Sequence, residues 1–95
     1  MAWRTTAAAD EDIAGIEVYG TVTFGRQQAA QYVDDLFATL DVIATVPRIA
    51  RERSEIRSRA RLYPFRAHNI FYVVDGRDIL ILRVLGHRQD WQNLL

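Results

Sequence analysis

Between Arg26 and Val46 the apolar residues recur at spacings of three and four. Ala29, Val33, Leu36, Leu40 and Ile43 share one face, while Asp34, Asp35 and Asp41 lie off it, which predicts an amphipathic helix of roughly five turns. Pro47 ends it by biasing Val46 away from helical geometry. A helix with one apolar stripe must pack on something. Further along, the period changes. "RLYPFRAHNIFYVVDGRDILILRVL" is rich in β-branched and aromatic residues, and Asp75-Gly76 is the strongest short hairpin signal in the chain. It joins a strand at His68–Val74 to one at Arg77–Leu85. Pro64 places the strand before these at a sheet edge or at a bulge.

The N-terminal third is less uniform. "AWRTT" is a short strand-prone segment, with Thr6 placed to cap a following helix. "AAADEDIAGI" is helical in character, its acids near the start where the helix dipole favours them. "IEVYGTVTFG" carries two signals. Val18, Tyr19, Thr21, Val22 and Thr23 favour strand, whereas Ile13, Ile16 and Gly20, and also Tyr19 and Val22, fall at helical spacing. Residues 47 to 60 have no long apolar period and are expected to be a connector. The elements in order make an N-terminal strand, a helical pair and a three-stranded antiparallel meander: a two-layer α+β domain with its helices on one sheet face.

On the last strand Leu80, Leu82 and Val84 alternate with Ile79, Ile81, Arg83 and Leu85. Two helices cover one face only. The second set therefore either lies against the helices, with Arg83 awkwardly placed, or faces outward as an apolar patch around Arg83 that awaits a partner. A third arrangement has the tail "RQDWQNLL" fold back, so that Trp91, Leu94 and Leu95 cover the strand. Partner binding is the favoured expectation.

Composition narrows this further. The chain has 95 residues, 49% of them hydrophobic and 25% charged, as expected for one globular domain over residues 1–95. No apolar run is long enough to span a membrane, and no signal peptide is visible, so a cytoplasmic protein is expected. Cysteine is absent, which excludes disulfides and thiol catalysis. With two histidines and no cysteine, no metal site is expected. The formal net charge of zero hides an asymmetry: two arginines stand against seven acids up to Val46, and ten arginines against five acids beyond it. In extended form the connector would align Arg57, Arg59, Arg61, Tyr63 and Phe65 on one face, an interleaving of cations and aromatics suited to nucleic acid. Near the chain end, Trp91 either clamps the tail or anchors a partner.

Taken in order, these segments resemble the ParE toxins of the RelE/ParE superfamily. The resemblance rests on "DIAGIEVYGTVTFG", on "QAAQYVDDLFATLDVIATVP" and on "IRSRARLYPFRAHNIFYVVDGRDILILRVL". It implies that Ala7 to about Gly25 is helical, and that the fold is RelE/ParE-like. It also implies function by binding: inhibition of DNA gyrase, and neutralisation by a cognate ParD-type antitoxin with an acidic, flexible C-terminal segment. Hetero-oligomeric complexes are implied, with DNA contacted only through the antitoxin and with no cofactor. The candidate contact residues are Arg57, Arg59, Arg61, Tyr63, Ile79, Ile81, Arg83, Arg88 and Trp91. The chain departs from the family at Ala50, where glycine is common, and at Leu85-Gly86-His87-Arg88, where the family usually reads Leu-His-Gly-Arg. The RelE-like alternative, ribosome-dependent mRNA cleavage, would draw on Arg61, Arg83 and Arg88 for charge and on His87, His68 or Tyr63 for proton transfer.

Overall fold

The computed structural model describes residues 2–95. Strand β1 (Trp3–Thr5) leads into helix α1 (Ala7–Phe24) and, after a turn at Gly25, helix α2 (Arg26–Thr45). A connector follows, then β2 (Arg61–Phe65), β3 (His68–Asp75), β4 (Asp78–Gly86) and a short tail helix α3 (Trp91–Leu94). The sheet order is β1-β4-β3-β2. The three later strands form the expected antiparallel meander, and β1 joins it parallel to β4. Pro64 sits on β2, an edge strand, where its missing N–H costs no ladder bond. The β3–β4 turn is the Asp75-Gly76 hairpin, with Gly76 at a φ of +64°.

The segment with two signals is helix. Thr6 caps it, its hydroxyl accepting the Ala9 N–H at 3.0 Å. Gly20 explains how α1 closes on α2: a β-carbon there would lie 3.2 Å from the Ala29 side chain. All five stripe residues of α2 are buried, and Val33, Leu36, Leu40 and Ile43 pack with Ala9 and Ile13 of α1 over Ile70, Tyr72, Ile79, Ile81 and Val84 of the sheet.

The outward patch on β4 does not form. Ile79 and Ile81 are fully buried beneath the helices. The reason lies in a β-bulge: Phe71 pairs with Arg83 but Tyr72 pairs with Ile81, so Leu82 is an extra residue in β4. The bulge reverses the alternation, bringing Val84 to the helix side with Ile81 and sending Leu85 to the opposite face. That opposite face is covered after all. Ile56 and Ala60 from the connector, with Trp91 and Leu95 from the tail, pack on Phe71, Leu85 and the flanking Leu62, Val73 and Leu82.

Candidate functional site

Arg83 is the first candidate to resolve. β1 pairs with β4 only at residues 79 to 81, so β4 has a free edge beyond that point. The chain around α1 takes over: Thr6 donates its backbone N–H to the Ile81 carbonyl at 3.1 Å and its hydroxyl to the Leu82 carbonyl at 2.8 Å. Asp12 then accepts the Val84 N–H at 2.9 Å and the Arg83 Nε and Nη2 at 2.8 and 2.9 Å. This fork-to-carboxylate pair is mostly shielded from solvent and raises the arginine pKa above its ordinary value, chiefly through the Asp12 hydrogen bonds. Its charge is compensated within the fold. Arg83 is therefore a fastening between α1 and β4, not the centre of an open patch.

The connector is not extended, so its alternation does not survive. Arg59 has a φ of +56° and stands 3.6 Å from the Glu52 carboxylate. Arg61 turns inward: it is buried and donates to the Ala50 carbonyl at 2.5 Å. Tyr63 is half-buried against the main core and Phe65 is buried in it. Arg57 remains exposed and reaches the tail, lining with Glu55, Ile56 and Trp91 a cavity of about 500 Å³. Trp91 is half-buried, its ring centroid 5.5 Å from that of Phe71. Arg88 is exposed just before it. Of the nine expected contact residues, Arg57, Arg59 and Arg88 are accessible, and Tyr63 and Trp91 partly so. Arg61, Ile79, Ile81 and Arg83 serve the fold.

The histidines are engaged as well. Tyr32 Oη lies 2.7 Å from His68 Nδ1, and the two rings meet edge to face. Burial depresses the His68 pKa, helped by the nearby His87, while burial raises that of Tyr32. His87, which stands where the family usually has glycine, takes its own place in the turn: its Nε2 lies 3.0 Å from the His68 carbonyl and its N–H donates to Ala67 at 3.1 Å. Arg66, at a φ of +50° in the β2–β3 turn, lies over the Tyr32 and Phe65 rings and pairs with Asp35 at 2.7 Å. That pairing lowers the Asp35 pKa. Among the described residues, no group of three His, Cys, Asp or Glu side chains could hold a metal ion.

One region escaped the sequence reasoning altogether. The outer half of α1 exposes Val18 by 64%, Tyr19 by 67%, Val22 by 83% and Phe24 by 57%. Tyr19 and Phe24 contact each other edge to face, and both line an apolar groove of about 480 Å³ floored by Ile16, Ala29, Tyr32 and His68. A helix that is apolar on its outer side as well as its inner one is expected to be covered. The signal was present in the segment's composition, but those residues were weighed for strand against helix rather than for exposure.

Comparison with known proteins accords with this geometry. The family model described as "ParE toxin of type II toxin-antitoxin system, parDE" matches residues 4–91. Toxin ParE1 of Mycobacterium tuberculosis is 38% identical over 68 residues, covering 70% of this chain and 69% of the relative. Toxin ParE1 of Caulobacter vibrioides is 32% identical over 83 residues, covering 87% and 85%. Among solved structures, a chain of the chromosomal ParDE TA system from P. aeruginosa superposes with a TM-score of 0.77 at 22% identity, over 90% of this chain and 95% of that one. The last likeness concerns the fold.

Proposed function

This chain belongs to the ParE toxin family of type II toxin–antitoxin systems, and we propose that it acts by binding rather than by catalysis. It inhibits DNA gyrase, and a cognate ParD-type antitoxin neutralises it. The observation that carries this reading is the fate of the groups a nuclease would need. Arg61 is spent on the Ala50 carbonyl and Arg83 on Asp12, His87 is held against the His68 carbonyl, and His68 itself contacts Tyr32. Cleaving a phosphodiester requires a proton-transfer group and free cations converging on one phosphate. Here Arg61, Arg83, His68 and His87 are all engaged within the fold, and of the candidates for this chemistry the exposed Arg88 and the half-buried Tyr63 are left.

The accessible candidates suit a binding role. Arg57 shares a cavity with Trp91, and Arg59 and Arg88 are exposed. An acidic, flexible antitoxin segment fits these arginines, with Trp91 as the apolar anchor. In this reading the toxin needs no cofactor, and DNA enters only through the antitoxin. No helix among the described residues is long and apolar enough to cross a membrane, which agrees with action on gyrase in the cytoplasm.

The test is a supercoiling assay with purified chain, gyrase, relaxed plasmid and ATP, run beside a translating-ribosome reaction scored for mRNA integrity. Lost supercoiling, linear DNA released on denaturation and intact mRNA are expected. Undisturbed gyrase with cut mRNA would overturn the reading in favour of the RelE-like one.

A further inference from the structure

We propose that residues 90–95 form a strap that opens from the outer sheet face while the rest of the domain stays folded, and that an acidic segment seated beside Arg57 latches it shut. The latch rests on the acidic partner proposed above; the opening does not. The starting point is how the strap is held. The chain after β4 is tied to the fold as far as His87, whose N–H donates to the Ala67 carbonyl at 3.1 Å. Gln89 folds back on β4, its side chain accepting the Gly86 N–H at 2.7 Å. Beyond that point, every hydrogen bond among the described residues stays within the tail. Trp91 donates to the Gln89 carbonyl, Asn93 to Asp90, and Leu95 to the Trp91 carbonyl. Among the described residues neither Arg88 nor Asp90 takes part in an ion pair.

The strap is therefore held by apolar contact alone. Trp91 lies against Phe71 and Leu95 packs on the same cluster, yet both are only half-buried. Trp3 shows the contrast: it stacks on Phe37 and also donates its indole N–H to Asp41 at 2.8 Å, a bond that Trp91 lacks among the described residues. One turn of helix does not hold its shape unaided, so α3 is ordered only while it lies on the sheet. A segment with few buried contacts and no bonds to its support opens at far lower cost than the whole domain.

The latch follows from what lies beneath. A cavity of about 500 Å³ separates strap from connector, with Ile56 and Arg57 on one wall and Trp91, Leu94 and Leu95 on the other. It exists only while the strap is closed. Glu55, also on the connector wall, stands 3.5 Å from Arg53, whereas Arg57 is exposed and joins no ion pair among the described residues. The uncompensated cation selects an anionic occupant, and the tryptophan and leucines beside it select one with an apolar neighbour. A segment that fills the cavity touches both walls, so it binds the closed state and shifts the equilibrium towards it.

Fluorine NMR of the intact chain labelled with fluorotryptophan tests this, because its two tryptophans report separately. Trp91 is expected to exchange with a second, solvated state on the microsecond-to-millisecond timescale, and Trp3 to stay in one state. Leu95→Ala should enlarge the open population several-fold, and Leu94→Ala, at a side chain already 44% exposed, should not. A hexapeptide of alternating glutamate and leucine should shrink the open population, and Arg57→Ala should abolish that response. Trp91 in a single state throughout, or equal exchange at both tryptophans, overturns the strap. A peptide that enlarges the open population, or leaves it as it was, overturns the latch. Gyrase enters neither reading, so a failed supercoiling assay and a failed strap are told apart.

Discussion

The two halves of α1 are one continuous helix and have opposite uses. The inner half is fastened. Thr6 caps it, Asp12 ties it to the free edge of β4, and Ala9 and Ile13 enter the core. The outer half touches the rest of the fold mainly through Ile16 and the close approach of Gly20 to Ala29. Its other apolar side chains are in water. Sequence composition does not mark the division, since apolar residues occur in both. What separates the halves is the supply of partners: β4 and its bulge lie beside the inner half, and nothing among the described residues covers Val18, Tyr19, Val22 and Phe24 of the outer one. The difference teaches that the same helix is tied down where it meets β4 and left exposed where it does not.

The largest expected effect comes from undoing the fastening. Asp12→Ala leaves Arg83 without its counter-charge and the Val84 N–H without its acceptor, and should cost about 3 kcal/mol in urea unfolding. If the loss is below about 1 kcal/mol, the inner half is not held as described. Thr6→Ala removes the cap and the bond to Leu82, and should cost about 1 kcal/mol by the same measurement.

A pH titration examines the seam beneath the outer half. His68, next to Tyr32 and near His87, has a pKa lowered below 6.5, chiefly by burial. The fold therefore favours the neutral imidazole. The stabilisation is complete above the unfolded-state value and is lost as pH falls through the folded one. Unfolding free energy should decline on acidification below about pH 6.5, with a shallower slope in His68→Gln. Equal slopes in the two proteins would remove His68 from the seam. The smallest effect on stability should be that of Val22→Glu, within about 0.5 kcal/mol of wild type, because the outer half carries little of the fold.

Much of the fold was legible in the sequence because its signals are local. The α2 stripe, the Thr6 cap, the Asp75-Gly76 hairpin and the edge position of Pro64 all rest on spacing or on single residue types, and all are present. The helical state of residues 16 to 24 was not legible from local pattern, since Val18, Thr21, Val22 and Thr23 lean towards strand. The family resemblance resolved it. The bulge at Leu82 left no mark in the alternation, which grouped Leu85 with Ile79 and Ile81, whereas Leu85 lies on the opposite face and those two are core. The partner of Arg83 was out of reach for another reason: Asp12 is 71 residues away, and no periodicity connects them. The candidate site suffered most. Arg57, Arg59 and Arg61 share a face only in an extended connector, and the connector's turns decide which of them are accessible.

The central claim is that α1 divides into a half that is fastened to the sheet and a half that is left exposed. Residue-resolved hydrogen exchange on the free chain tests it most directly. The account predicts that amide protection falls along α1, from the Ala9–Ile16 stretch to the Val18–Phe24 stretch, by on the order of tenfold or more. Uniform protection along the helix would contradict the account.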